Sequence, residues 1–266
     1  MTWAEIEQLT HQVQQLPAQR QQTSQQLSQV MVSAHSTMME GSRVTVPEAF
    51  DFLLGAAPTL GPGKPLAGYD MLGDHARALD LALRRADEQQ LPGPALLREL
   101  AAAVMQSTGR ATNTALGTVD PTQGDLRRGN VFIVGASSFP NAQKVPVLVA
   151  ALAGDLRERM SGAATLREQL ELAFEAHQRL VSIHPFNDGN GRTSRLLMNY
   201  VQRYYGQPLT IVFREDRQGY FAALEQSRIA DDLSVFFDFM RGQHGKSLTY
   251  QITAASPNDD INLITS

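Results

Sequence analysis

Apolar residues recur at three- and four-residue spacing through most of the chain, which predicts a helical protein. Trp3, Ile6, Leu9, Val13 and Leu16 form one stripe, ended by Pro17. Leu27, Val30, Met31, Ala34 and Met38 form a second, with Gly41 as its C-terminal cap. Residues 47–54 predict a short helix, and Gly55 to Gly68 is a Pro- and Gly-rich connector that separates an N-terminal unit, 1–54, from a larger one, 69–243. Met71, His75, Ala78, Leu79, Ala82 and Leu83 predict a helix from Tyr69 onward, and Leu96, Leu97, Leu100 and Val104 another within Pro94 to Met105. Two further stripes follow, Leu166 to Val181 and Leu196 to Tyr204. A connector from Pro208 to Arg214 leads to one or two closing helices that carry Tyr220, Phe221, Leu224, Leu233, Phe236, Phe237 and Phe239. Only residues 125–140 read as β structure, a short β-branched and aromatic run before small turn residues. Residues 244–266 show no periodic core face and read as a polar tail.

Composition narrows the class. The 266 residues are 42% hydrophobic and carry a net charge of −4, the balance of a globular protein and not of a general nucleic-acid or anionic-membrane binder. With no cysteine, a disulfide framework, a cysteine nucleophile and a thiolate metal site are excluded. The first residues lack the basic and apolar regions of a signal peptide and no run has the length of a membrane span, so the expected location is cytoplasmic.

One loop, His184-Pro-Phe-Asn-Asp-Gly-Asn-Gly-Arg-Thr-Ser-Arg195, holds most of the reactive chemistry. Pro185 disfavours helix at the residue before it, so His184 is placed at a helix end, where an imidazole can take a proton near neutral pH. Gly189 and Gly191 precede the next stripe and can point backbone N–H groups at an anion at the positive end of a helix dipole. Asn190 adds a side-chain donor, Arg192 and Arg195 share a helix face as phosphate clamps, and Phe186 anchors the loop. Asp188 is the one hard oxygen ligand, as suits Mg²⁺ held by one carboxylate, waters and phosphates. Base, metal ligand, anion nest and two clamps describe a phosphoryl or nucleotidyl transfer site. Two other classes compete with it. A metal-dependent hydrolase would use His177, His184 and Asp188, against which stand the Pro185 break and the single carboxylate; a non-catalytic binding module would not need the full set of polar residues.

The loop resembles, at every fixed position, the signature of the Fic family, His-Pro-Phe-x-Asp/Glu-Gly-Asn-Gly-Arg-x-x-Arg, whose members mostly transfer AMP from ATP to a protein hydroxyl. The resemblance, which covers residues 69–243 and the stretch 36–41, implies an all-α Fic-type bundle with one β-hairpin flap and a protein adenylyltransferase with ATP as substrate and Mg²⁺ as cofactor. It makes His184 the base, Asp188 the metal ligand, Gly189, Asn190, Gly191 and Arg192 the phosphate site, and Arg195 the partner of the γ-phosphate. Ser36-Thr-Met-Met-Glu40-Gly41 is similar to the family's inhibitory pattern, Ser/Thr-x-x-x-Glu-Gly/Asn. Glu40 would then pair with Arg195 and displace the γ-phosphate, while Ser36 would only position the helix. Residues 125–140 resemble the flap, which pairs with the target's backbone, here near Asn130, Val131, Phe132 and Ile133; Arg127 and Arg128 are candidate phosphate contacts. Tyr220 is similar to an aromatic that lines the base pocket, and Arg228 or a neighbour stands where the family commonly has Asn. A different nucleotide, a phosphocholine donor or a locked toxin–antitoxin partner are the alternative readings, and a homo-oligomer is left open.

Overall fold

The structure is a computed structural model that describes residues 1–55, 66–132 and 139–254. Among them are ten α-helices: α1 (Trp3–Gln14), α2 (Ala18–Met39), α3 (Val46–Leu54), α4 (Leu66–Asp87), α5 (Pro94–Val104), α6 (Val145–Met160), α7 (Leu166–Ile183), α8 (Asn190–Tyr204), α9 (Arg217–Ala230) and α10 (Ser234–Ala254). No helix among the described residues is long and apolar enough to cross a membrane.

The helix starts follow the local chemistry. Thr2, Thr45 and Thr165 each make a reciprocal capping box with a glutamate three residues on, Glu5, Glu48 and Glu168. α7 and α8 form a helix hairpin at the centre, joined by the motif loop, and α4, α5 and α6 pack around them. Leu170, Phe174, Leu180, Leu197, Tyr200 and Val201 of this pair are buried in the main core together with Leu97, Leu152 and Leu156. α6 is absent from the expectation above, although Val145, Val149, Leu152, Leu156 and Met160 have helical spacing and are buried. The helix α4 begins at Leu66, inside the stretch read as connector, whose residues 56–65 lie outside the described set.

One expectation lies partly outside the described residues and another is corrected. The β signal at 125–140 does not give the described hairpin: residues 125–132 and 139–140 contain no strand, and 133–138, including Ile133 of the expected flap, lie outside the described residues. The hairpin is β1 (Thr112–Thr114) and β2 (Gly117–Val119), antiparallel with Thr112 opposite Val119. Its two-residue turn is followed by Gly117 at φ 107°, a left-handed conformation that glycine adopts at little cost. Nor does a tail start at residue 244. α10 continues to Ala254 and buries His244, Ser247, Leu248 and Gln251; the expectation for 255–266 lies outside the described residues. The buried face is polar because it meets bare backbone. Residues 209–213 belong to no helix or strand, and Gln243 Oε1 and Ser247 Oγ accept the N–H groups of Phe213 (2.9 Å) and Ile211 (2.8 Å). Asn199 and Gln202 of α8 accept that of Thr210.

α2 is buried all round over Val30–Thr37, not on one face. It inserts between α3, α4, α8 and α10, and its small polar residues are used: Ser24 Oγ donates to the Gln251 carbonyl (3.1 Å) and Ser33 meets His75 (3.2 Å).

Burial leaves several imidazoles neutral. It pushes His35 down to about 4 and His244 to about 3, and holds His75 and His177 well below the ordinary histidine value. The unfolded chain binds protons at these sites near pH 6.5 while the folded chain does not, so stability is complete above that pH and falls on acidification. His35 and His244 each account for about 2 kcal/mol of loss by pH 5. The melting temperature is expected to drop steeply between pH 7 and 5; a flat profile would show that these groups are protonated in the fold.

Candidate active site

His184 is the C-cap of α7, as Pro185 predicts, in a left-handed conformation (φ 51°, ψ 58°) that is uncommon for a residue with a Cβ and recurs at functional sites. Its Nδ1 lies 3.3 Å from the Val181 carbonyl, which places the proton there and leaves Nε2 as the free base. The ring packs on Phe139 at 4.2 Å. Burial, with Arg127 and Arg228 adding to it, pushes the imidazole down to about 4 against the opposing pull of the Val181 carbonyl and Glu40, so it is neutral at pH 7.

The loop is held from two sides. Asn190, expected to point at a ligand, is instead a clamp: its Oδ1 accepts the Phe186 N–H (2.9 Å) and its Nδ2 donates to the Phe186 carbonyl (2.8 Å). Arg127, a candidate phosphate contact above, is 2% exposed and serves three carbonyls, those of His184 (2.6 Å), Gly129 (2.9 Å) and Pro140 (2.5 Å). Arg128 likewise donates to the Leu116 carbonyl at the hairpin tip. Arg127→Met leaves three carbonyls without their donor, an expected loss on the order of 3 kcal/mol in urea unfolding. A loss well under about 1 kcal/mol would mean that water replaces the guanidinium at no cost.

Gly189 (φ 80°) is the N-cap of α8 and no side chain caps that helix, so its first N–H groups are open to an anion. The Glu40 carboxylate lies over Gly191 so closely that a Cβ on Gly191 would collide with Glu40 Oε1. Glu40 is delivered by the end of α2, where Gly41 (φ 95°) closes a Schellman motif through Gly41 N to Met38 O (3.1 Å) and Ser42 N to Thr37 O (3.1 Å). Arg217 Nε holds the Met39 carbonyl (3.1 Å), and His35 Nδ1 accepts the Arg214 N–H (3.0 Å).

Arg195, 2% exposed, donates through Nη2 to Glu40 Oε1 (2.7 Å) and the Ser36 carbonyl (2.9 Å), and through Nε to Ser36 Oγ (2.8 Å). Ser36 therefore grips the guanidinium directly, beyond positioning its helix. Burial would raise the Glu40 carboxyl, but Arg195, with Arg192 and Arg217 behind it, outweighs that and holds it below the usual carboxylate range.

Arg192 is buried against the Val104 carbonyl (3.3 Å) and Met105 Sδ (3.3 Å), with Asp188 Oδ2 at 3.5 Å. Asp188 is 69% exposed; its Oδ1 accepts the Gly189 N–H (2.6 Å), and the rest of the carboxylate is presented at the loop mouth. That single exposed hard ligand fits Mg²⁺ shared with a substrate. The hydrolase set is not brought together: His177 is fully buried with Nε2 on the Tyr220 hydroxyl (2.9 Å), and no cluster of three His, Asp or Glu able to hold a metal occurs among the described residues. Tyr220 is not the wall of an open base pocket either. It is 1% exposed, under Arg195, whose Nη1 meets its hydroxyl at 3.3 Å. A cavity of about 480 Å³ lies between α6, α7 and α9, with Ser182, Ile183, Arg228 and Asp231 among its lining residues. Arg228 covers the Phe139 ring at 5.0 Å and pairs with Glu225 at 3.0 Å.

Residues 92–202 match the family model described as "Fic/DOC family". A protein adenylyltransferase Fic from Culex quinquefasciatus is 35% identical over 142 residues, 53% of this chain and 27% of that protein, so the chain spans about a quarter of the length of such relatives. A Fic domain containing signaling protein from Bacteroides thetaiotaomicron superposes with a TM-score of 0.80 at 23% identity, over 96% of this chain and 99% of that one. Fic-1 from C. elegans gives 0.72 at 22% identity, over 94% of this chain and 69% of that one. The segment that runs from α5 through the motif loop into α8 thus matches the Fic/DOC family, and the described fold is that of the Fic domain structures.

Proposed function

We propose that the chain is a protein adenylyltransferase that moves AMP from ATP to a Ser, Thr or Tyr hydroxyl of a target protein, restrained by Glu40. The observation that carries the reading is the Glu40 carboxylate lying over Gly191 and bonded to Arg195: an anion on a guanidinium beside the uncapped start of a helix and a neutral imidazole. The naming of relatives as protein adenylyltransferases adds to it.

In the reaction, Nε2 of His184 takes the acceptor proton as the hydroxyl oxygen attacks the α-phosphorus, and pyrophosphate leaves with the electrons of the α–β bridge bond. The N–H groups at the start of α8 and the Arg192 and Arg195 guanidinium groups hold the phosphate oxygens, so the chain works by positioning and charge stabilisation. Asp188 would hold Mg²⁺, which supplies positive charge at the phosphates. The base would lie in the cavity lined by Arg228, and the target near Asn130, Val131 and Phe132, of which Phe132 is 80% exposed. A cytoplasmic location is part of the same proposal.

The test is the fate of two labels. With the Glu40→Gly chain and a cell lysate, label at the α-phosphate of ATP is expected on protein and label at the γ-phosphate in released pyrophosphate. Label from the γ-position on protein, above that of the lysate without the chain, would mean phosphoryl transfer and end the adenylyl reading.

A further inference from the structure

Three of the four hydrogen bonds that orient the Arg195 guanidinium come from one helix. Ser36 Oγ, the Ser36 carbonyl and Glu40 all belong to the C-terminal end of α2. The fourth is the Tyr220 hydroxyl on α9, which is the only guanidinium partner outside α2 among the described residues. If Glu40 yields its place to a phosphate, the arginine loses that one contact, and its orientation then rests on Ser36 and on Tyr220. Tyr220 does not depend on α2 in this way. Its hydroxyl accepts from Arg195 Nη1, so its own proton goes to His177 Nε2 at 2.9 Å, which requires a neutral His177 with its proton on Nδ1. His177 is fully buried and stacked on Phe236 at 5.2 Å and 14°, while Tyr220 is 1% exposed, so the row Arg195, Tyr220, His177 is built into the core beneath the loop. Burial supports the protonation states it needs. It raises the Tyr220 phenol despite the opposing charge of Arg195, and it keeps His177 neutral, with Arg195 acting in the same sense.

We propose that Tyr220, backed by His177, is a positioning residue that keeps Arg195 aimed at the start of α8 when Glu40 leaves, so that the terminal phosphate of the nucleotide meets a guanidinium already in place. This rests on the reading that Arg195 receives the γ-phosphate. Tyr220 itself is too buried to touch the nucleotide, so its effect must be confined to the ligand group that Arg195 reads. Holding a long side chain in one rotamer avoids an ordering cost at binding that corresponds to about a 5- to 10-fold change in affinity.

The experiment is calorimetry of ATP and ADP on the full-length Glu40→Gly/His184→Ala chain, which cannot turn over, with and without Tyr220→Phe. Tyr220→Phe is expected to weaken ATP about 5- to 10-fold and to leave ADP unchanged, because ADP lacks the group that Arg195 holds. A second variant, His177→Phe, removes the acceptor behind the hydroxyl and is expected to give a smaller loss of the same kind should Tyr220→Phe fold poorly. Equal weakening of ATP and ADP, or no change in either, overturns the proposal. The underlying reading is checked separately by Arg195→Ala: if that variant does not weaken ATP relative to ADP, Arg195 does not read the γ-phosphate at all.

Discussion

Replacing His184 with alanine in the Glu40→Gly chain is expected to slow AMP transfer by about 10²- to 10⁴-fold, the range of a lost general base, with nucleotide affinity nearly unchanged. The imidazole is held by the backbone at both ends. The left-handed C-cap of α7 fixes its Cα, Arg127 holds its carbonyl, and the Val181 carbonyl engages Nδ1, so Nε2 is free. The uncapped N–H groups of α8 and the two arginines belong to other residues of the loop, so a nucleotide keeps its phosphate site without His184. A value of about 4 means that the base is available throughout the neutral range. Glu40 raises it, and a triphosphate in place of Glu40 would do the same through its own negative charge. The transfer rate is therefore expected to be flat with pH above roughly 5 to 6 and to fall below, as protonation removes the base. Rates for the alanine variant equal to those of its parent would remove His184 from the mechanism.

Glu40→Gly is expected to raise transfer about 5- to 150-fold, which corresponds to about 1–3 kcal/mol of bias between two anions competing for one site. The competition is local. The carboxylate sits over Gly191, which must be glycine for any anion to approach so closely, and its 2.7 Å bond to Arg195 uses a donor that the γ-phosphate would need. Ser36→Ala is expected to release the chain too, more than a residue that merely steadied a helix, because it removes the acceptor of Arg195 Nε. Gel assays with α-labelled ATP read both effects; equal labelling by the intact and Glu40→Gly chains would mean that the pair does not restrain the reaction.

The sequence made the loop legible because its chemistry is contiguous. His184, Asp188, Gly189 and Arg195 fall where the spacing and Pro185 place them, and the Glu40 to Arg195 pair, 155 residues apart, is the one that the resemblance implies. What it did not reveal are partnerships of buried polar groups across the chain. Arg127 and Asn190 carry ligand-like side chains, yet they close backbone groups of the loop, and nothing in the local pattern distinguishes a guanidinium bound for carbonyls from one bound for phosphate. Tyr220 reads as an aromatic near a base, but its hydroxyl is taken by Arg195 and His177. The end of α10 was hidden for a related reason. Its buried face is built from Gln243, Ser247 and Gln251, which satisfy the backbone at 209–213, so no apolar stripe marks it. The hairpin at 112–119 has only Val119 buried, so its three threonines show no apolar alternation, and Asn113 and Gly117 weaken the strand signal further.

In the proposed function one site, with His184 as its base and Glu40 as its restraint, transfers AMP to protein. The most direct measurement is the initial rate of α-label incorporation by three full-length chains side by side: intact, Glu40→Gly, and Glu40→Gly/His184→Ala. Weak labelling, strong labelling and labelling at background are expected, in that order. Equal labelling by the first two, or sustained labelling by the third, would contradict it.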